Sequence, residues 1–364
     1  MLVLSNEEIT KLLTIEECMK ALEPMYHDVA AERVLFSPRV DNIGPHGMQG
    51  AYYAFKHMGG TWPREKVQAL RINSDVVTHP LVAGKPRRVK QPLAPSSTGG
   101  RWVGLVLLFN TETGALMAMF PDGVMQNLRV GATSGLGLRH LARDDAQTLA
   151  LIGSGWQAVT QLSAALAVRR FKEVRVYSPR RETREAFVAE QRALHKVAHS
   201  VEIRAVDSAD AAADGADVIA ASTSSMVRVI EPKWLKPGVH ISTIKTQEVD
   251  PEVLNRCDRV IFSNRRQSKH IDHVMKDTPN VQSESSKGWW NDGSIKMDRF
   301  ADLADVLAGQ AKGRQSPKEI TCFMNNVGTG LQFAAAGAYV LRKARAQKIG
   351  TELPDDWFCE DVHP

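Results

Sequence analysis

The stretch Gly153-Ser-Gly155-Trp-Gln-Ala158 follows an apolar run at 148–152 and opens an Ala-rich stretch at 157–168. Glycines at this spacing between a buried strand and a helix let backbone approach a pyrophosphate, and the helix N–H groups then point at its charge. A glycine-rich turn also serves packing alone, so the chemistry rests on the residues of the next strand end. That apolar run, 174–178, ends on Ser178-Pro-Arg180-Arg181. Folds that bind NAD carry Asp or Glu here for the ribose hydroxyls, whereas a hydroxyl followed by two guanidiniums suits a 2′-phosphate. The cofactor expected is NADP(H) in preference to NAD(H). The alternative is that Arg180 and Arg181 are solvated residues opening a surface helix. The hydroxyls of Ala221-Ser222-Thr223-Ser-Ser225, at the end of a later strand, either line the nicotinamide side of the cleft or form an ordinary polar loop. The cofactor-binding set is thus Gly153, Ser154, Gly155, Gln157, Ala158, Ser178, Arg180, Arg181, Ser222 and Thr223.

The elements that must hold these residues are legible from periodicity. From 146 to about 264 short apolar runs at 149–153, 174–178, 201–206, 218–221, 240–244 and 260–262 alternate with helical patterns, which predicts a parallel sheet flanked by helices. The fold class is α/β, with a Rossmann-type domain over 129–314. Before it, Ser5 and Thr14 are positioned to cap two helices within the first 30 residues. Residues 38–120 are richer in Gly and Pro, with β-like runs at 51–55, 67–72 and 102–109 and a hairpin pairing 103–108 with 115–120. Helix is expected at 127–141 and again from Phe300 onward. Residues 1–128 and 315–364 would then form a second, α+β domain interrupted by the first.

Composition narrows the class. The 364 residues are 43% hydrophobic and 24% charged, typical of a globular chain rather than a disordered one. No run reaches the roughly 20 apolar residues of a membrane helix, and the N-terminus lacks a signal-peptide layout, so a cytoplasmic protein is expected. The four cysteines, Cys18, Cys257, Cys322 and Cys359, form no C-x-x-C pair. The net charge of +5 and the cluster Lys85-Pro-Arg-Arg88-Val-Lys90 could signal nucleic acid. No helix-turn-helix or aromatic–basic interleaving accompanies them, and an anionic small molecule explains the cluster more simply.

Two further groups attract attention. Trp289-Trp290, among Gly, Ser and Asn, read as a pocket lid that gives a bulky ligand an apolar wall, or as a contact loop between subunits. His270 and His273 have no third ligand nearby, and no metal site is expected. Lys245 falls at the end of the strand beginning His240, where burial beside arginines would lower its pKa and suit it to acid–base work; a snorkelling surface lysine is the alternative.

The ordered set Met1-Leu-Val-Leu-Ser, Pro38-Arg39, Asp122-Gly, Asn127-Leu-Arg129-Val-Gly-Ala-Thr, Leu141-Ala-Arg143, Gly153-Ser-Gly-Trp-Gln-Ala, Trp234-Leu-Lys-Pro-Gly-Val-His240-Ile, Glu248-Val-Asp and Asp302-Leu-Ala-Asp-Val-Leu-Ala-Gly309 resembles the ornithine cyclodeaminase/μ-crystallin family over nearly the whole chain. The resemblance implies a homodimer, an N-terminal substrate and dimerisation domain completed by the C-terminal helices, and NAD(P)(H)-dependent hydride transfer at a carbon bearing nitrogen. It also implies that Arg39 and Arg129 bind a substrate carboxylate, and that Arg71 stands where the family carries a lysine. Arginine there can bind and polarise but is a poor proton shuttle.

A second departure concerns the aspartate that cyclodeaminases carry after the His-Ile strand. Here the sequence runs His240-Ile-Ser-Thr-Ile-Lys245-Thr-Gln-Glu248, and no aspartate matches. Ornithine cyclodeamination is therefore disfavoured. The expected activity is NADP(H)-dependent reduction of imines or ketimines, or the reverse oxidation of an amine or amino acid. Arg71, Arg129 and Lys245 are the expected catalytic residues, and Arg39, Arg71, Arg129, Trp289 and Trp290 the substrate-binding ones. The rivals are a cyclodeaminase using NAD⁺ catalytically, and a μ-crystallin-like protein that holds NADPH and a small ligand without turnover.

Overall fold

A computed structural model describes residues 1–82, 84–92, 101–195, 200–265, 270–278 and 295–362. Eight strands form a parallel sheet in the spatial order Glu202–Ala205, Glu173–Tyr177, Thr148–Ile152, Val218–Ala221, His240–Thr243, Thr321–Met324, Arg259–Phe262 and Ala301–Asp302. Successive strands run outward from Thr148–Ile152 on one side and then resume on its other side at Val218–Ala221. That reversal opens a crevice at the C-terminal ends of these two strands, where open α/β sheets take their ligands. Both faces are covered. Leu149 and Leu151 pack into one core and Ala150 and Ile152 into the other, which is why the strand reads as a continuous apolar run.

A ten-stranded, mainly antiparallel sheet forms the rest of the core. Its centre is the pair Tyr52–Trp62 and Val67–Thr78, in register from Tyr52 opposite Val77 to Trp62 opposite Val67. The expected hairpin pairs Val103–Asn110 with Leu116–Pro121. Ser5 and Thr14 each form a reciprocal capping box, with Glu8 and Glu17, at the starts of helices Asn6–Leu12 and Ile15–Ala30.

Three elements differ from the sequence reading. Thr321–Met324 lies within the parallel sheet, beyond the boundary at 314; a four-residue run buried on both faces has no periodicity to mark it. Ile271–Val274, which carries His273 and for which no element was expected, is a strand pairing Val40–Pro45 at the edge of the large sheet. The helix expected from 127 starts earlier, as Gly123–Leu141, so Arg129 sits in its second turn rather than at its opening.

The helix Gly330–Gln347 returns to the large sheet by direct backbone contact. A Cβ on Gly60 would lie 2.3 Å from the Leu331 nitrogen, and one on Gly330 would lie 2.1 Å from the Gly59 carbonyl carbon. Only glycine at both places allows that approach. It brings Phe333 beneath the strand that carries Arg71.

One buried group of the parallel sheet predicts pH dependence. His240 is fully buried, its Nδ1 lies 2.9 Å from the Thr321 hydroxyl, and its Nε2 has no hydrogen-bond partner among the described residues. Burial, reinforced by the charges of Arg314 and Arg169, lowers its pKa to about 3. Between pH 6.5 and 3 the unfolded chain takes up a proton here that the folded chain refuses, so stability falls as pH falls through that window. His240→Asn keeps a donor toward Thr321 but cannot titrate. In denaturant unfolding between pH 6 and 4, its stability should fall less steeply than wild type, by up to about 1.4 kcal/mol per pH unit. Parallel slopes would exclude His240 as the source.

Candidate active site

The crevice at the strand reversal is a cavity of about 1010 Å³ lined by Gly153, Ser154, Gly155, Gln157, Ser178, Arg180, Ser222 and Thr223, among others. Gly153 has φ +119°, and a Cβ there would lie 2.3 Å from the Ser222 carbonyl oxygen. A Cβ on Gly155 would meet nothing within 4 Å. The first glycine thus serves the turn itself, and the second keeps the cavity open. Gly155 also caps helix Trp156–Val168, whose first N–H groups lack intrahelical acceptors. Among the described residues the buried Ser222 hydroxyl has no hydrogen-bond partner. These features fit a dinucleotide pyrophosphate. Ala158 is not on the cavity wall; it is buried in the core beneath the helix.

The position of the usual ribose-binding acid is held by hydroxyls. Ser154 donates to Ser178 at 2.8 Å, and Thr183 donates to the Arg180 carbonyl at 2.9 Å. Arg180 lines the cavity, but Arg181 turns away and pairs with Glu185 at 2.7 Å on the exposed helix face. The two arginines that looked equivalent in sequence therefore separate, because Arg180 precedes the helix Arg181–His195 whereas Arg181 opens it and meets Glu185 one turn on.

Glu248 went unassigned in the sequence reading, yet its fully buried carboxylate ties together two loops of the crevice. One oxygen accepts from the Thr223 N–H at 2.7 Å and the Thr223 hydroxyl at 2.8 Å, the other from the N–H groups of Ile244 at 3.0 Å and Lys245 at 3.2 Å. Its carbonyl also accepts from Val229 and Ile230. Lys245 itself is moored: its amine donates to the Ser225 carbonyl at 2.8 Å, and it is not on the cavity wall.

A second polar group lies on the inner face of the large sheet. Along Val67–Thr78 the buried positions change from Val67 and Ala69 to Arg71, Asn73 and Asp75. Arg71 donates from Nε to Asp122 at 2.7 Å, and Asn73 donates to the same oxygen at 2.9 Å. Asp75 lies 2.9 Å from the Lys90 amine and 3.6 Å from that of Lys56. Burial alone would raise the Asp75 pKa, but the two ammonium groups outweigh it and hold the carboxyl below its ordinary value. Lys90 is pushed below its own ordinary value by burial, against the pull of Asp75, with Arg71 adding repulsion.

Arg129 completes this group. It is 5% exposed and donates to Gln126 at 2.7 Å and to Gln332 at 2.9 Å, while Gln332 is held by Tyr26 and Thr133. No carboxylate pairs with it among the described residues. Burial, and then the Arg71 charge, push its pKa down to about 9. The two guanidiniums flank one ring: their central carbons lie 5.8 Å and 5.4 Å from the centre of Phe333. A buried charge satisfied only by neutral amides is costly unless an anion joins it. Arg39, by contrast, gives two N–H groups to Asp41, each at 2.7 Å, so its fork already grips a carboxylate. Trp289 and Trp290 lie outside the described residues.

Comparison with known proteins agrees with this geometry. A profile of the ornithine cyclodeaminase/mu-crystallin family matches residues 73–348. Alanine dehydrogenase of Archaeoglobus fulgidus is 26% identical over 362 residues, covering 97% of this chain and 98% of that one. Iminosuccinate reductase of Paracoccus denitrificans is 27% identical over 360 residues, 97% of this chain and 99% of that one. Its structure with NAD⁺ superimposes with a TM-score of 0.76 over 97% of this chain and 99% of that one, at 26% identity. The Thermococcus litoralis Delta(1)-pyrroline-2-carboxylate reductase structure, with NADH and L-proline, has a TM-score of 0.76 at 22% identity, covering 97% of this chain and all of that one. The chain belongs to the ornithine cyclodeaminase/mu-crystallin family.

Proposed function

We propose that this protein is an NADP(H)-dependent oxidoreductase that reduces imines carrying a carboxylate, or oxidises the corresponding amine or amino acid. The observation that carries the reading is Arg129, a buried guanidinium whose hydrogen-bond partners are neutral amides and whose neighbour is a second guanidinium, Arg71. Relatives named for pyrroline-2-carboxylate and iminosuccinate support a carboxylate-bearing substrate. A pyridine nucleotide is the cofactor, and Ser178 with Arg180 favours the 2′-phosphorylated form. Bound there, it supplies or takes up the hydride.

This chain's own residues bind and orient. Arg129 grips the carboxylate, since guanidinium can give two parallel hydrogen bonds and fix direction as well as charge. Arg71, aligned by Asp122 and Asn73, keeps its remaining N–H groups for the same anion or for the imine end. The proton for nitrogen is assigned to Lys90 on Asp75, on the same face as Arg71, rather than to Lys245, whose amine would first have to leave the Ser225 carbonyl. A homodimer and a cytoplasmic setting belong to the same proposal. The first is supported by the exposed Ile271, Val274 and Met275 at the sheet edge, the second by four cysteines outside any disulfide. No helix among the described residues is long and apolar enough to cross a membrane.

The test is an absorbance assay of purified protein with NADPH or NADH against cyclic imino acids and α-keto acids plus amines. NADPH oxidation that requires a carboxylate on the imine is expected, and Lys90→Met should lower kcat about a hundredfold with KM little changed, whereas Lys245→Met should not. Ammonia release from ornithine without net oxidation would establish the cyclodeaminase instead. Tight NADPH binding with no turnover on any imine would establish the binder.

A further inference from the structure

The basic run at 85–90 divides its charges between two sites because it is extended, and side chains of an extended segment alternate. Lys85, Arg87 and Val89 line the cofactor cavity. Lys90 turns the other way to Asp75, whose carboxyl also feels Arg88. This strap comes from the ten-stranded sheet, through Val89–Gln91 paired on Val67–Thr78, and docks on the loop that follows Val218–Ala221. Arg87 and Ser225 form an antiparallel bridge, and the Met226 N–H donates to the Pro86 carbonyl at 3.3 Å.

Among the described residues the Arg87 guanidinium makes one hydrogen bond, from Nη1 to the Ser224 hydroxyl at 3.3 Å, and its buried Nε has no hydrogen-bond partner. Neither Arg87 nor Arg180 pairs with a carboxylate among the described residues. The two are close enough to repel: burial first, and then the charge of Arg180, lower the Arg87 pKa, with Tyr177 opposing. Ser178 and Thr183 line the cavity next to Arg180. Two guanidiniums without carboxylate partners and a pair of hydroxyls, converging from different sheets on one rim, constitute a site for a compact dianion.

We propose that Arg87 completes, with Arg180 and Ser178, the site for the 2′-phosphate of NADP(H), so that this phosphate ties the strap to the parallel-sheet side of the crevice. The proposal rests on the NADP(H) reading above and adds that cofactor selectivity depends on a residue outside the dinucleotide-binding sheet. It explains why the basic cluster sits where it does. It also gives the extended segment two roles, one charge row for the cofactor and one for the Asp75 group.

The test uses the full chain and measures, by calorimetry, binding of adenosine 2′,5′-bisphosphate and of adenosine 5′-monophosphate to wild type, Arg87→Gln, Arg180→Gln and the double variant. Wild type is expected to bind the bisphosphate more tightly. Each single change should weaken the bisphosphate about ten- to hundredfold while leaving the monophosphate within about twofold. The double variant should lose less than the product of the single losses, as groups sharing one ligand do. If wild type does not distinguish the two nucleotides, the NADP(H) reading falls and this proposal with it. If Arg180→Gln abolishes the distinction and Arg87→Gln keeps it, only the proposal falls. Equal weakening of both nucleotides by Arg87→Gln would make its role structural and overturn the assignment.

Discussion

Replacing Arg129 by methionine is expected to lower kcat/KM for a carboxylate-bearing imine about a thousandfold while cofactor affinity stays unchanged. The methionine fills much of the same volume, so the change removes charge and donors more than packing. On the proposed function the change removes a buried, charge-assisted clamp on the substrate carboxylate, and truncating one partner of such a pair costs about 2–5 kcal/mol. A thousandfold loss corresponds to about 4 kcal/mol, inside that range. Because Arg129 does not line the cofactor cavity, NADPH titration by fluorescence separates loss of the clamp from loss of the fold. The position is tightly shaped as well: a Cβ on Gly328 would lie 2.1 Å from Arg129 Nη1. Steady-state kinetics showing kcat/KM within about threefold of wild type would mean that the carboxylate binds elsewhere.

Glu248→Gln is the second large effect, and it acts on the other half of the site. The carboxylate presents two oxygens to four donors from two loops, and glutamine can present only one. Its amide N–H₂ would then face N–H groups that have lost their acceptor, and each buried unsatisfied donor costs about 1–3 kcal/mol. Stability in urea should drop by roughly 2–4 kcal/mol. The loops carrying Ser222, Thr223 and Ile244 line the cavity, so NADPH affinity should fall about tenfold or more in parallel, about 1.4 kcal/mol. An unchanged urea midpoint together with an unchanged affinity would show that the loops hold their places without this carboxylate.

Much of this protein was determined by local sequence. The Gly153–Gly155 turn, the capped helices at Ser5 and Thr14, the 103–120 hairpin and most of the parallel strands come from periodicity and turn chemistry, which act over a few residues. Ser178 and Arg180 stand on the cavity wall because a strand end fixes where its next residues point. Tertiary structure alone decided the rest. Arg39 is matched by Asp41, whereas Arg129 meets only amides, one of them on a helix 203 residues away. Glu248 looks like any surface acid in the sequence, and only the meeting of two loops buries it. The basic run at 85–90 looked like a single patch until extension split it between two sites. A charge's partner is chosen by long-range packing, so sequence shows which residues can do chemistry here, and the fold decides which of them are already satisfied.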